Sequence, residues 1–170
     1  MTRLSGTSYA VLSVMDALGA ATPYDLKQAL EASVENFWPV PHTTAYSEPE
    51  RLARAGLLSV EQESSGRRRK VYALTDAGRE ALREWSASPD LSPPQLREEG
   101  VLKIFAGADP RPILEQRLEW HRAKLAELQG YLEAVGEDPA MTGVRQSLLV
   151  GVGYESLIVD ALAGYLERGA

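Results

Sequence analysis

A run of four consecutive cations, Arg67-Arg68-Arg69-Lys70, is the residue cluster in this chain best suited to binding chemistry. It follows the turn-forming residues Ser64-Ser65-Gly66 and leads into Val71-Tyr72-Ala73-Leu74, whose β-branched and aromatic side chains are typical of a strand. With a first strand from Leu57 to Glu63, the pattern predicts a β-hairpin that carries the cations at its tip. Cations at such a position can protect an edge strand from aggregation. Because four in a row exceed that need, we favour contact with the phosphates or the minor groove of a nucleic acid.

A helix predicted directly before this hairpin contains a second group of candidate contacts. It begins at His42-Thr43-Thr44, which offers N-cap side chains, and ends near Ala55, before Gly56. Pro49 lies in its interior, where the missing backbone hydrogen bond should kink or delay the helix. Polar residues at an exposed helix start often have no function, but the position before the hairpin favours a recognition helix. The residues of types that contact phosphates and base edges are Thr43, Thr44, Tyr46, Ser47 and Arg51.

The elements that must position these side chains follow from capping signals on both sides. A first helix spans Ser5 to Leu18, and Thr22-Pro23-Tyr24-Asp25 opens a second helix with the pattern of a capping box. Phe37 to Pro41 is a rigid connection, because its two prolines prevent a helix. After the hairpin, Thr75 is an N-cap for a helix that begins at Asp76. Helix, short helix, helix, hairpin and helix is the order of a winged helix-turn-helix.

The second half of the chain predicts a helical domain. A short helix from Arg97 to Ala106 precedes two long helices, Pro110 or Arg111 to Val135 and Ala140 to Glu167. The first long helix carries a heptad seam. A partner chain that covers the seam would make this half a dimerisation domain, although the same helices could instead fold back on the N-terminal domain of their own chain. The seam consists of Leu114, Leu118, His121, Leu125, Leu128, Leu132 and Val135.

The expected fold class is therefore mainly α with a small β-hairpin wing. Residues 1–86 form an N-terminal winged helix-turn-helix domain, residues 87–96 a linker rich in proline and serine, and residues 97–170 an antiparallel helical dimerisation domain. The first 86 residues hold ten Lys and Arg against eleven Asp and Glu, and the remainder holds eight against thirteen. The net charge of −6 argues against a general polyanion binder, so contact with a nucleic acid must use the local cationic run.

The sequence contains no pattern that indicates an enzyme or a metal-binding protein. No nucleophile–base–acid set or phosphate-binding loop appears, and the chain has two histidines, His42 and His121, and no cysteine. We therefore expect no metal site, no cofactor and no disulfide. No signal peptide is evident, and no segment approaches the roughly 20 apolar residues of a membrane span, so we expect a cytoplasmic protein.

Several motifs resemble the PadR family of bacterial transcriptional regulators. In that family a recognition helix of the form Tyr-Pro-x-Leu-x-x-Leu is followed by Gly-Leu and by a hairpin that ends Tyr-x-Leu-Thr. The corresponding segments here are Tyr46-Ser47-Glu48-Pro49-Glu50-Arg51-Leu52, Gly56-Leu57 and Tyr72-Ala73-Leu74-Thr75, with Ala77-Gly78-Arg79 after them. The third helix and hairpin alone would also fit MarR-like proteins. The segment from Arg97 to Phe105 and the long helix after it favour PadR.

The resemblance implies a dimeric, sequence-specific DNA-binding regulator, a repressor, whose partners are a double-stranded operator and a second copy of the chain. It also implies release of the DNA by a small molecule, such as a phenolic acid or a hydrophobic drug-like compound. Candidates for an effector site are Trp38, Trp85, Trp120 and His121. The tryptophans are more typical of a core, and the position of His121 in the seam favours a buried neutral histidine with one hydrogen bond, or a polar residue that sets the register, over a pH or ligand sensor. The alternative function is a protein-interaction module whose winged helix no longer reads DNA.

Overall fold

The computed structural model describes residues 4–62, 69–91, 93–94 and 96–168. The chain forms two compact units, Met1–Ser92 and Pro93–Ala170, which we describe separately. In both units helices dominate, and the first unit adds a small sheet, so the expected fold class is confirmed. The boundary between the units falls in the segment rich in proline and serine.

The first unit contains four helices and three strands in its described residues. The helices are α1 (Gly6–Leu18), α2 (Pro23–Ala32), α3 (His42–Arg54) and α4 (Asp76–Ala87), with a single 3-10 turn (Val34–Asn36) between α2 and α3. The strands are β1 (Ala20–Ala21), β2 (Leu58–Gln62) and β3 (Lys70–Leu74).

Short-range capping chemistry accounts for most of the helix starts. The hydroxyl of Thr22 accepts a hydrogen bond from the backbone N–H of Asp25, whose carboxylate accepts one from the N–H of Thr22 at 3.0 Å. This reciprocal pair is the predicted capping box. Thr75 likewise accepts from the N–H of Gly78 at 3.1 Å and begins α4 as predicted. The N-cap of α3 is Pro41, with no side-chain cap, so the capping prediction for His42, Thr43 and Thr44 was wrong. All three lie inside the helix.

The sheet contains one strand more than the predicted hairpin. Its order is β1-β3-β2 with both pairs antiparallel, and β2 and β3 pair from Leu58↔Leu74 to Gln62↔Lys70. The added strand, Ala20–Ala21, pairs with Tyr72 and Ala73. Two alanines carry no β signal, which is why the sequence did not reveal this strand. The predicted turn at the tip of the hairpin lies outside the described residues.

The core of the first unit lies between the helices and one face of the sheet. Leu12 and Met15 of α1, Leu26 of α2 and Leu52 of α3 are all almost completely buried. Pro49 belongs to this core as well, and α3 continues through it from His42 to Arg54, so the proline does not delay the helix. A proline inside a helix costs about 3 kcal/mol. Burial of its ring against the core offsets part of that cost.

The second unit consists of α5 (Glu99–Phe105), α6 (Pro110–Val135), a short 3-10 turn (Pro139–Met141) and α7 (Thr142–Glu167). The guanidinium of Arg145 donates to the carbonyl of Gly136 near the connection, and His121 meets Glu155 further along, so α6 and α7 run antiparallel. The predicted heptad seam is buried against α7 of the same chain, where Leu114 and Leu118 pack with Leu162. The expectation that a partner chain covers the seam is corrected, because spacing predicts a buried stripe but does not identify its partner.

The last helix has an apolar face that α6 does not cover. Residues 139–167 are long and apolar enough to cross a membrane by length and composition, which corrects the expectation that no segment approaches such a length. One such helix is weak evidence for a membrane, and this helix carries Glu155 in an ion pair with α6. Its exposed apolar residues include Val150, Tyr154 and Leu157, which are 60–73% exposed. Their spacing of four and three places them on one stripe of α7.

Candidate nucleic-acid interface

One face of α3 is polar and exposed over the whole length of the helix. The opposite face, with Ala45, Pro49 and Leu52, is buried in the core of the first unit. Since a helix turns about 100° per residue, positions three and four apart share a face, and the exposed positions follow this rule. We call them the exposed stripe of α3, and its members are Thr43, Tyr46, Ser47, Glu50 and Arg54.

No side chain caps the first turn of α3, which leaves its N-terminal N–H groups without the partners that side-chain caps provide. Tyr46, the largest residue of the exposed stripe, is about half exposed. Together these groups present hydrogen-bond donors and acceptors outward along one helix, an arrangement that can contact base edges and phosphates.

Arg51 is turned away from the exposed stripe. Its guanidinium donates to the carboxylate of Glu48 and, at 2.8 Å, to the hydroxyl of Ser8 on α1, which is completely buried. The hydrogen bond from Arg51 lowers the pKa of Glu48, and the carboxylate in turn raises the pKa of Arg51. In the structure Arg51, one of the predicted DNA contacts, therefore attaches α3 to α1. Thr44 is half-buried, between the stripe and the core face.

The wing is connected to α3 by an ion pair. Lys70, the first residue of β3, places its Nζ 3.4 Å from Oε1 of Glu50. A shallow cavity of about 220 Å³ lies there, lined by Glu50, Ala53, Arg54, Val60, Lys70 and Tyr72. No carboxylate among the described residues pairs with Arg54, although it lines the same cavity.

The described part of the cationic run is exposed. Arg69 lies just before β3 and Lys70 begins it, while Arg67 and Arg68 lie outside the described residues. Because side chains alternate along a strand, Lys70 shares a face with Tyr72 and Leu74, and the sequence alone therefore predicts that Lys70 lies near the core. Those two residues are buried, but Lys70 is exposed and its partner is the surface residue Glu50. The alternation of side chains along β3 was therefore predicted correctly, but the position of Lys70 near the core was not.

Two of the aromatic candidates for an effector site pack on α1 of the first unit. The ring of Trp85 stacks on Tyr9 with centroids 4.5 Å apart. The indole N–H of Trp38 donates to the hydroxyl of Thr7 at 3.2 Å, and its ring covers Gly6 so closely that a Cβ there would clash with it. Both rings remain 44–46% exposed. Each therefore has a packing partner and an open face.

The other two candidates belong to the second unit. His121 is buried, and its Nδ1 lies 2.6 Å from Oε2 of Glu155 on α7. Trp120 lies edge-on to His121 and is 58% exposed. The environment of His121 is that of a buried histidine with one hydrogen bond, the simpler of its two interpretations.

Two residues of the exposed stripe were missed from the sequence. Glu50 and Arg54 follow Tyr46 at steps of four, so the helical period contained the signal for both. Glu50 was passed over because an acidic residue is an uncommon partner for DNA. No group of three or more His, Asp or Glu in the part of the chain that the structure describes is arranged to hold a metal ion.

The fold of the first unit and the exposed stripe of α3 define a winged helix-turn-helix, the architecture of a DNA-binding domain. The family model for the transcriptional regulator PadR-like family matches residues 11–84, which cover this domain from α1 to α4. Over these residues the chain is similar to the PadR-like family of transcriptional regulators.

Relatives extend the likeness beyond this domain. The chain is 26% identical over 132 residues to the negative transcriptional regulator PadR of Bacillus subtilis (strain 168), a match that covers 74% of this chain and 72% of the relative. The crystal structure of Bacillus subtilis PadR in complex with operator DNA matches with a TM-score of 0.82 and 23% identity, covering 96% of this chain and 99% of that one. The same protein in complex with p-coumaric acid matches with a TM-score of 0.75 and 22% identity, covering 95% and 93%. These structural matches establish the fold of both units.

Proposed function

We propose that this protein is a dimeric, sequence-specific DNA-binding repressor. The observation that supports this most is the exposed stripe of α3, which lies beside a cationic wing on a chain with a net charge of −6. A helix of this kind fits the major groove, where base edges carry a distinct donor and acceptor pattern. The wing supplies cations to the phosphate backbone, which provides affinity without sequence information.

The contacts divide by chemistry. Thr43, Tyr46 and Ser47 face outward from α3 and are placed for base edges and nearby phosphates. Arg54 adds a cation at the C-terminal end of the stripe. The run from Arg67 to Lys70 serves the phosphates or the minor groove. Arg51 acts as a positioning residue, because its guanidinium holds α3 against α1 through Glu48 and Ser8.

The second unit supplies the dimer contacts in this proposal. The stripe of Val150, Tyr154 and Leu157 on α7 remains exposed after α6 has covered the other face. A soluble protein rarely leaves such a stripe open, and a second copy of the chain can cover it. A dimer matches a two-fold operator, since each recognition helix reads one half-site and the half-sites lie one helical turn, roughly 34 Å, or a multiple of it apart.

Release by a small molecule completes the proposal. The Bacillus subtilis relative has been solved with p-coumaric acid, an aromatic acid, and this supports an effector of similar chemistry here. Trp38 and Trp85 in the first unit offer exposed ring faces to such an effector. Trp120 offers one in the second unit, where its neighbour His121 is the candidate polar group. Such a regulator acts in the cytoplasm and carries out no covalent chemistry.

The test is binding of the full chain to a duplex recovered from a random library, measured by fluorescence anisotropy at several salt concentrations. We expect Ser47→Ala to lower the preference for the recovered duplex over random DNA. Ser59→Ala is the matched control, an exposed serine on β2 whose hydroxyl donates to the carbonyl of Ala73. Failure to enrich any duplex, or equal binding of recovered and random DNA, would contradict sequence-specific reading and favour the protein-interaction module.

A further inference from the structure

Glu50 occupies the centre of the exposed stripe of α3, where a carboxylate is unexpected. Tyr46 precedes it by one step of four residues and Arg54 follows it by another, so all three share a face. Its side chain is 53% exposed, and it caps no helix and packs in no core. A negative charge on a surface that approaches the phosphates of DNA is repelled by them. A carboxylate at this position therefore requires a compensating interaction.

The wing provides that compensation. Lys70 places its ammonium group 3.4 Å from the Glu50 carboxylate and thereby neutralises the charge from the side of β3. Arg54 lies on the other side of Glu50 along the helix and lines the same shallow cavity. The carboxylate is thus flanked by two cations but remains open on the face of the helix.

The chemistry of a carboxylate restricts which base it can read. An ionised carboxylate accepts hydrogen bonds and cannot donate. In the major groove only cytosine N4 and adenine N6 donate, and adenine places its acceptor N7 beside N6, where it repels a carboxylate. We infer that Glu50 is a specificity-determining residue that accepts a hydrogen bond from cytosine N4, with Lys70 as its positioning residue. This inference rests on the proposed function, since it requires α3 to enter the major groove.

The simpler interpretation is that Glu50 and Lys70 form a surface ion pair that only ties the wing to α3. Exposed pairs of this kind stabilise a fold very little. The two interpretations differ in a measurable way. An ion pair without contact to a base has no effect on which base the protein selects, whereas a reading carboxylate determines it.

The experiment is selection of binding sites from a random duplex library with the full chain and with Glu50→Gln. Glutamine is nearly the same size but both donates and accepts, and it pairs with N6 and N7 of adenine. We expect one cytosine in each half-site of the wild-type motif to become adenine in the variant. For the variant, the expected discrimination in favour of adenine at that position is about 5- to 150-fold, the range for a good bidentate base contact. Glu80→Gln is the matched control, an exposed carboxylate paired with Arg83 on α4, and should leave the motif unchanged.

A second arm tests Lys70. We compare the effect of Lys70→Met on affinity for the selected duplex in wild type and in Glu50→Gln, by direct titration. The factor by which Lys70→Met weakens binding should be at least about twofold larger in wild type than in Glu50→Gln. Independent effects would overturn the positioning role.

The same motif from wild type and Glu50→Gln would overturn the inference while leaving the proposed function intact. The absence of any enriched motif with the wild type would contradict the proposed function itself, and the inference with it. Thermal unfolding of each variant excludes a folding defect as the cause.

Discussion

Replacing Arg51 with alanine should destabilise the first unit, even though this residue lies on the helix proposed to contact DNA. The substitution removes the guanidinium that donates to both oxygens of Glu48 and to the hydroxyl of Ser8. The Glu48 side chain is only 12% exposed and Ser8 is completely buried, so water cannot fully replace the missing partner. Hydrogen bonds to charged groups contribute roughly 1.5–3 kcal/mol. For a unit of this size each kcal/mol shifts the midpoint of thermal unfolding by about 4–8 °C, so we expect a decrease of roughly 6–24 °C.

Circular dichroism during heating of the full chain measures this change. Arg54→Ala is the matched control, since it removes the same side chain from the same helix at an exposed position. Its effect on stability should be within about 0.5 kcal/mol, while its affinity for DNA should fall. If Arg51→Ala unfolds at the wild-type temperature, or if Arg54→Ala loses as much stability, the assignment of Arg51 to positioning is refuted.

Three further predictions concern acid, the wing and the dimer. Arg51 lowers the pKa of Glu48 in the folded protein. The stability that this pair contributes is therefore complete above the ordinary pKa of a glutamate, and it is lost as the pH falls through the lowered pKa of Glu48. The difference in unfolding midpoint between wild type and Arg51→Ala should shrink between neutral pH and about pH 3. Joint replacement of Arg67 and Arg69 by alanine should weaken binding to selected and random duplexes by the same factor. It should also reduce the slope of log affinity against log salt by roughly 0.9 for each phosphate that is no longer neutralised. A larger loss of affinity for the selected duplex than for random DNA would make these residues base contacts. Leu157→Asp should convert a dimer to a helical monomer in analytical ultracentrifugation, because it puts a charge into the exposed stripe of α7; a variant that stays dimeric would place the interface elsewhere.

Local signals were sufficient to predict most of the elements. The Thr22 and Thr75 caps and the glycine after Leu18 determine helix ends through interactions within a few residues, and the structure agrees with each. The alternation of Tyr72 and Leu74 likewise predicted the buried face of β3. Such signals depend on neighbouring residues alone, which is why a sequence reveals them.

Interactions between distant residues were not predictable in the same way. The bond from Arg51 to Ser8 joins residues 43 positions apart, and nothing near Arg51 indicates that it turns inward. The pairs Glu50–Lys70 and His121–Glu155 likewise depend on which elements pack together. The partner of the α6 seam was expected in a second chain and lies in α7 for the same reason, because an apolar stripe requires burial but accepts any apolar surface.

In the proposed function, two copies of α3 read a two-fold DNA site through their exposed stripes. Hydroxyl-radical footprinting of the full chain on its selected duplex tests it most directly. We expect two symmetrical protected patches whose centres lie one helical turn, about 10–10.5 base pairs, or a multiple of it apart. Both patches should weaken together in Tyr46→Ala. A single patch, or the same protection in that variant, would contradict the claim.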